Sequence, residues 1–523
     1  MLEPKLIACI DVGTTSCRTI IYSSRGHLIS EAHEEYASIF LSPTWIDHDP
    51  ATWLKAARNT LKQAIKLFPG DPNDIAAICV ISQRSTFIPV DSDGNPLDNA
   101  ILWQDKRAIA QADFIRKEVG PEYVYYKTGL RIDAYFSLPK LLWLKENKPH
   151  VFKKAFKILT VHDFIIHHLT GEFITDWTQA SRTMLFNISE LKWDAELCKQ
   201  FGIPMEMLAK AVPPGTIVGG LKKSLQAEFN LRSDIPVVSV GGDQQAAAVG
   251  LGVVMPGLLC ANTGTGSFIL AHAERPAFDK KQRVVCTASA VAGKWLIEAG
   301  IYTSGSVYRW FRDNFAMVES NTARDLHIDA YEILNSEVKS TSPGAEGLIF
   351  LPHFAGSAAP YWDPLAVGLI FGCSLGHKRS HVIRGLLEGV CFEICKNIRI
   401  IESLTNEITE IRVSGGATRS MTFNQIQADV YGKTVLRSIS EQSSALGAML
   451  VAATSIGLYP DISTAVGAGV SFDGHNRKTP DDEVHQLYEK ILTLHDELYV
   501  ALSSQNIYEK ARELREFIKS SSS

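Results

Sequence analysis

Three stretches hold side chains whose types and spacing could do chemistry. The first is Asp11-Val12-Gly13-Thr14-Thr15-Ser16, with Arg18 just beyond it. A glycine followed by three small hydroxyl residues makes a turn whose backbone N–H groups and hydroxyls suit a phosphate. Asp11 is an acceptor-only group at the mouth of that turn, placed to hold water or Mg2+ beside the phosphate. Taken alone, the same residues also make an ordinary hairpin turn. The second stretch, Thr263-Gly264-Thr265-Gly266-Ser267, repeats the pattern roughly 250 residues later, which points to two similar halves closing on one nucleotide. The third is Gly241-Gly242-Asp243-Gln244-Gln245, which sets a carboxylate between an apolar run and a helical pattern.

Each of these stretches needs an element to position it. Ile7–Ile10 and Cys17–Tyr22 read as the strands of a first hairpin, and Leu258–Asn262 with Ser267–Leu270 as those of a second. Ile75–Ile81 and Ile235–Val240 are continuous apolar runs, as expected of strands buried on both faces. They end at Ser82-Gln83-Arg84-Ser85 and at Gly241-Gly242-Asp243, and the carboxyl ends of such strands are where α/β sheets place ligands. Asp49 followed by Pro50 predicts a capped helix to Leu67. Thr44–Pro50 reads as a polar loop, 101–103 as a short strand, 108–171 as mostly helical, and 175–186 as a loop folding back on the site. His381–Leu404 is a long apolar helix, Ile411–Ala417 a strand with a Gly-Gly turn, and Ser444–Ala448 a tightly packed small-residue helix. Ser520–Ser523 reads as a disordered tail.

The 523 residues leave room for more than one domain and a large core. A composition of 46% apolar and 21% charged residues is that of a soluble globular protein. A net charge of −5 gives no basic footprint for nucleic acid or anionic lipid. The longest apolar stretch, 246–261, is broken by Gly250, Gly252, Pro256 and Gly257, and spanning a bilayer takes about 20 residues. The opening residues carry no charged leader with a cleavage site. The nine cysteines are scattered, mostly inside apolar runs, and read as buried thiols of a reducing compartment. Cys391 and Cys395 share a helix face, and core packing accounts for them better than metal. The expected location is cytoplasmic, with no membrane insertion.

No P-loop motif occurs, and no Gly-x-Gly-x-x-Gly follows a strand. A nucleotide would therefore rest on hairpin and Gly-Gly turns. Tyr135-x-Ser137-x-x-Lys140-Leu141-x-Trp143-Leu144 and Gly368-Leu369-Ile370-Phe371-Gly372 resemble the two signatures of the FGGY carbohydrate kinase family. Trp45–Pro50, Asn99–Asp105, Ala180–Ile188, Gly242–Ala247 and Ala359–Pro364 are most similar to its glycerol kinase branch. The resemblance covers essentially the whole chain. It implies an α/β fold of two actin-like (ribonuclease H-like) ATPase domains, 1–254 and 255–523, with a nucleotide cleft between them and a hinge near 253–257.

The resemblance also implies residue roles. Asp243 would be the general base on the attacking hydroxyl, with Asp11 as Mg2+ or water holder and Asp243 close to the metal. Thr14, Thr15, Ser16 and Arg18 would lie near the transferring phosphate. Thr265, Gly305, Arg309, Gly416 and Ser420 would line the rest of the nucleotide site. Arg84, Ser85, Trp103, Tyr135, Asp243, Gln244 and Phe268 would form the polyol pocket, where aromatics wall the C–H groups and polar side chains pair with hydroxyls. The expected substrates are ATP with Mg2+ and glycerol or a related small polyol or sugar.

The chain departs from the glycerol kinase pattern at four places. Ser85 stands where Glu is usual, which removes a charge-assisted hydrogen bond and opens space. Arg309 replaces a Gln and Ser420 an Asn near the base. The 228–235 stretch lacks the Gly-Thr-Arg loop through which some relatives bind a sugar bisphosphate. The alternatives are an FGGY kinase for a ketopentose, another polyol, an aldonate or a dihydroxy-carbonyl signalling compound, or a non-catalytic actin-like nucleotide-binding regulator. Homo-dimers or homo-tetramers are the family expectation for assembly.

Overall fold

The computed structural model describes residues 5–232 and 235–521. The chain divides into two compact units. One comprises Met1–Met255, His272–Ile297 and Gln442–Val470, and the other Pro256–Ala271, Glu298–Glu441 and Ser471–Ser523. The 254/255 division read from sequence sits beside one crossing between units, and two further segments also belong to the first unit.

The first unit is built on a six-stranded sheet in the order Thr216–Gly220, Pro236–Gly242, Ile75–Ser82, Leu6–Val12, Ser16–Ser23, Leu28–Glu35. Leu6–Val12 pairs antiparallel with Ser16–Ser23, closing the hairpin at Val12 and Cys17, and parallel with Ile75–Ser82. Ile75–Ser82 is in turn parallel to Pro236–Gly242. Strand side chains alternate between faces. Ala8, Ile10, Val12, Ile78 and Val80 pack with Trp53, Leu61, Phe164 and Ile165. Ile7, Cys9, Ala77, Cys79 and Ile81 pack instead with Ala246, Val249, Leu446 and Leu450. A strand covered on both faces needs an unbroken apolar run, which is what these segments have.

The second unit repeats the plan. Leu258–Thr263 pairs antiparallel with Ser267–Ala273 and parallel with Glu410–Ser414, which is parallel to Thr434–Ser438. The helix Arg379–Leu404 packs against the strand Ile349–Leu351 and the helix Met421–Tyr431.

A five-stranded sheet in the first unit, ordered Ile39–Ser42, Trp45–His48, Ala100–Ile101, Phe87–Val90, Lys157–Thr160, carries the loops after Ser82 and Ile101. Its second strand replaces the polar loop expected at 44–50. Asp47 is buried there because Arg107 pairs with it, and His48 because its ring meets Trp53 edge-on at 4.3 Å. The strand expected at 101–103 shrinks to Ala100–Ile101, and the helical region includes the strand Lys157–Thr160. The 175–186 segment is a buried strand end and a short helix, Ile174–Asp176 and Trp177–Ala180, held by internal hydrogen bonds.

The helix Pro50–Leu67 starts as expected, with the Asp49 carboxylate accepting from the Ala51 N–H at 2.9 Å. Eight cysteines are buried, and Cys373 is exposed. Ser520 and Ser521, expected in a disordered tail, instead close the helix Ile507–Ser521, and 522–523 lie outside the described residues. The 228–235 stretch likewise includes 233–234, outside the described residues. Among the described residues no helix is long and apolar enough to cross a membrane.

Candidate active site

The 13–16 turn is tight: the Gly13 N–H donates to the Ser16 carbonyl at 2.9 Å. Tyr36 braces it from outside, its OH donating to Gly13 O at 2.8 Å and its N–H to Thr15 O at 2.9 Å. Thr15 is left exposed, and Thr14 and Ser16 half-exposed. Arg18 stands opposite Asp11 in the hairpin register.

Asp11 is the last residue but one of its strand, beside the turn. Burial pushes its pKa up to about 7; the charge of Asp243 pushes the same way, and Arg18 pulls it down. Two carboxylates close enough for the charge of one to raise the pKa of the other form a donor set that suits a divalent cation. Among the described residues no group of three or more His, Cys, Asp and Glu side chains could hold a metal alone. A cation here would thus take most of its ligands from phosphate and water, as Mg2+ usually does.

Asp243 is the first residue of the helix Asp243–Gly250, directly after the strand Pro236–Gly242. Its Oδ1 accepts the Gln244 N–H at 2.7 Å and lies 3.4 Å from Arg84 Nε, whose side chain is 2% exposed. The Gln244 amide lies 3.4 Å from Oδ2. The strand-to-helix junction needs glycine. Gly241 has φ +105°, and a Cβ there would meet both Asp176 Oδ2 and Thr178 Oγ1 at 2.1 Å. Those two residues anchor the junction: Thr178 Oγ1 donates to Asp176 and accepts the Gly242 N–H at 2.8 Å.

Arg84 and Ser85 follow the strand Ile75–Ser82. Ser85 is buried with φ +65°, and its Oγ has no hydrogen-bond partner among the described residues. The Trp103 indole N–H donates to Thr14 Oγ1 at 3.0 Å, and Thr14 donates to Gln83 Oε1 at 3.3 Å. Gln83 also donates to Gly13 O at 3.2 Å. The Trp103 and Tyr135 rings lie 5.3 Å apart at 60°. The Arg182 guanidinium stacks 5.4 Å from the Tyr135 ring centre. The first unit therefore brings together Asp11, Thr14, Arg84, Ser85, Trp103, Tyr135, Asp243 and Gln244.

The remaining expected residues belong to the second unit. Phe268 is half-buried on the strand Ser267–Ala273. Thr265 O accepts from Ser304 N, Ser306 N and Ser306 Oγ at 3.0, 3.1 and 2.8 Å, while Gly305 N donates to Gly264 O at 3.0 Å. The Thr-Gly turn is thereby tied to the start of the helix Gly305–Phe315, on which Arg309 is exposed. Gly416 opens a short 3-10 turn with free space at its Cα. Ser420 caps the helix Met421–Tyr431, its Oγ accepting the Phe423 N–H at 3.1 Å.

Sequence reasoning passed over three contributors: Gln83, Arg182, and the Asp176–Thr178 pair. Gln83 and Arg182 stood inside stretches already singled out, so a polar side chain at a strand end was the available signal. Asp176 and Thr178 lay inside the 175–186 segment read as folding back on the site, but their partners are reached only by folding.

The model of the FGGY family of carbohydrate kinases, N-terminal domain, matches residues 6–250, and that of its C-terminal domain 259–456. A glycerol kinase of Thermococcus kodakarensis is 36% identical over 463 residues, 87% of this chain and 90% of the relative. The ligand-bound xylulose kinase from Lactobacillus acidophilus superposes with a TM-score of 0.89 at 26% identity, covering 97% of this chain and 99% of that one. Plasmodium falciparum glycerol kinase with ADP gives 0.85 at 25% identity, covering 94% and 98%. The fold is the two-domain actin-like, ribonuclease H-like one. The chain belongs to the FGGY family of carbohydrate kinases and is a carbohydrate or polyol kinase similar to glycerol kinases.

Proposed function

We propose that the chain transfers the γ-phosphoryl group of ATP to a hydroxyl of glycerol or a closely related small polyol or sugar, with Asp243 as general base. The observation that carries this reading is the Asp243 carboxylate, held at a strand end by the Gln244 N–H and faced by the buried Arg84. Phosphoryl transfer asks the protein mainly for positioning and charge, and a fixed carboxylate can orient the acceptor hydroxyl and take its proton late. Asp11, with Asp243 beside it, would hold Mg2+, which would neutralise charge on the transferring group. Thr14, Thr15, Ser16 and Arg18 would meet the phosphates. Thr265, Gly305, Arg309, Gly416 and Ser420 would contact the nucleotide, and Phe268 the acceptor. We further propose domains divided near 254/255, a cytoplasmic location and a homo-dimer or homo-tetramer.

ADP release with Mg2+-ATP tests the reading across glycerol, erythritol, ribitol, xylitol, xylulose, ribulose, dihydroxyacetone and gluconate. One acceptor is expected to stand at least tenfold above the rest in kcat/KM. No release above the acceptor-free rate with any of them would overturn it.

One observation favours an acceptor longer than glycerol: Ser85 is short, buried, and leaves its Oγ without a partner among the described residues. Restoring the carboxylate with Ser85→Glu is expected to move kcat/KM at least tenfold toward glycerol relative to the longer acceptors, because a site built around a hydroxyl discriminates steeply. An unchanged ratio would show that residue 85 does not touch the acceptor.

A further inference from the structure

Lys140 sits on the helix Ser137–Asn147, one turn from its start, and its side chain is wholly buried. Its Nζ lies 2.8 Å from Ser85 O, 3.1 Å from Leu102 O and 2.9 Å from Tyr135 O. An ammonium has three donors and no acceptor, so these three carbonyls match it in number. They come from three separate loops of the first unit, and each loop carries a residue of the acceptor pocket proposed above: Ser85 itself, Trp103 after Leu102, and Tyr135. Ser137 Oγ adds a fourth contact, donating to Ser85 O at 3.3 Å.

The backbone at Ser85 needs such a restraint. A φ of +65° is left-handed, which costs any residue with a Cβ free energy, and strain of this kind persists only where the surroundings over-determine it. Burial pulls the Lys140 pKa down to about 7; Asp105 and Asp133 favour its ammonium, while Lys106 and Arg107 oppose it. Arg107 is already taken up by Asp47 and Asp105.

We infer that Lys140 is the positioning residue of the acceptor pocket, a single buried ammonium that fixes the backbones bearing Ser85, Trp103 and Tyr135 relative to one another and so sets which acceptor fits. It touches no reacting atom. The inference rests on the reading of those three residues as pocket residues.

The test compares the full chain with Lys140→Met, which is one atom shorter and removes the donors, and with Lys140→Arg, which keeps the charge. For Lys140→Met the KM for the best acceptor is expected to rise at least tenfold and its advantage over the next acceptor to shrink at least fivefold. The KM for Mg2+-ATP is expected to stay within twofold. Lys140→Arg should fall between the two, and it is read in the same way if Lys140→Met does not fold. A drop in kcat and thermal midpoint with the acceptor KM unchanged would overturn the inference while leaving the proposed reaction intact.

Hydrogen exchange gives a readout that needs no turnover. Amides of 84–86, 102–104 and 134–137 are expected to exchange faster together in the variant, with those of the Leu6–Ser23 hairpin unchanged. Acceleration spread evenly over the unit would overturn the inference. If the wild-type chain turns over none of the acceptors, the proposed reaction fails instead, and the exchange pattern alone decides whether Lys140 ties the three loops.

Discussion

Asp243→Asn is expected to lower kcat for acceptor phosphorylation by about 10³-fold, in the middle of the range seen for loss of a general base, while binding of Mg2+-ADP stays within a few fold. Asn has the same shape, and its amide oxygen can still accept the Gln244 N–H that now meets Oδ1 at 2.7 Å. What goes is the proton acceptor and one negative charge. Two consequences for stability then oppose each other. Arg84, with a side chain only 2% exposed, loses a carboxylate 3.4 Å away, which is unfavourable for a buried guanidinium. Asp11 gains, because the charge of Asp243 is one of the two causes that push its pKa up to about 7. Asp243 is itself partly exposed, so solvent screens both effects, and the folded protein should survive the change. Steady-state ADP release and calorimetric titration with Mg2+-ADP separate the two readouts. Turnover within tenfold of wild type would mean that another group takes the proton. Loss of nucleotide binding in step with turnover would mean that Asp243 acts chiefly through the metal.

The parts of this site that could be read in the sequence are those encoded over a few neighbouring residues. The two hairpins and the strands ending at Ser82 and Gly242 were legible because a strand buried on both faces requires an unbroken apolar run, and a sharp break into Gly and polar residues marks its end. The helix after Asp49 was legible because Asp-Pro is a local start signal. The strand Trp45–His48 was not, since Asp47 and His48 look solvent-facing until Arg107 and Trp53 arrive from elsewhere in the chain. Lys140 was visible only as one letter of a motif. Its three acceptors lie at residues 85, 102 and 135, and no spacing predicts that they converge. The assignment of Gln442–Val470 to the first unit was hidden for the same reason: the small residues of its helix announced close packing without naming the partner.

That partner is the helix that begins with Asp243, and the closeness of the contact makes a second strong prediction. Gly447, inside the helix Ser443–Ser455, would place a Cβ 1.8 Å from Ala246 O, and Gly250 would place one 1.9 Å from Ser443 O. An ordinary carbon–oxygen contact is about 3.3 Å or more, so Gly447→Ala forces the two backbones apart by roughly 1.5 Å. Neither obstacle is the end of a flexible side chain. Helix propensity argues the other way, since Ala in place of Gly inside a helix gains up to about 1 kcal/mol. The clash should win, because overpacking against backbone costs about 3 kcal/mol. A net loss of about 2 kcal/mol corresponds to a fall of about 3 °C in thermal midpoint for a unit of this size. Activity should suffer more than stability. Asp243 lies one turn before Ala246, and a misplacement of about 1 Å at a reacting group costs on the order of 10²-fold in rate. Gly467→Ala is the matched control: it also lies in a helix of the first unit, Ile462–Gly469, but has nothing within 4 Å of the added Cβ. It should be neutral or slightly stabilising and leave kcat alone. If both variants melted and turned over alike, the two helices would have slack between them, and Asp243 would owe its position to the sheet alone.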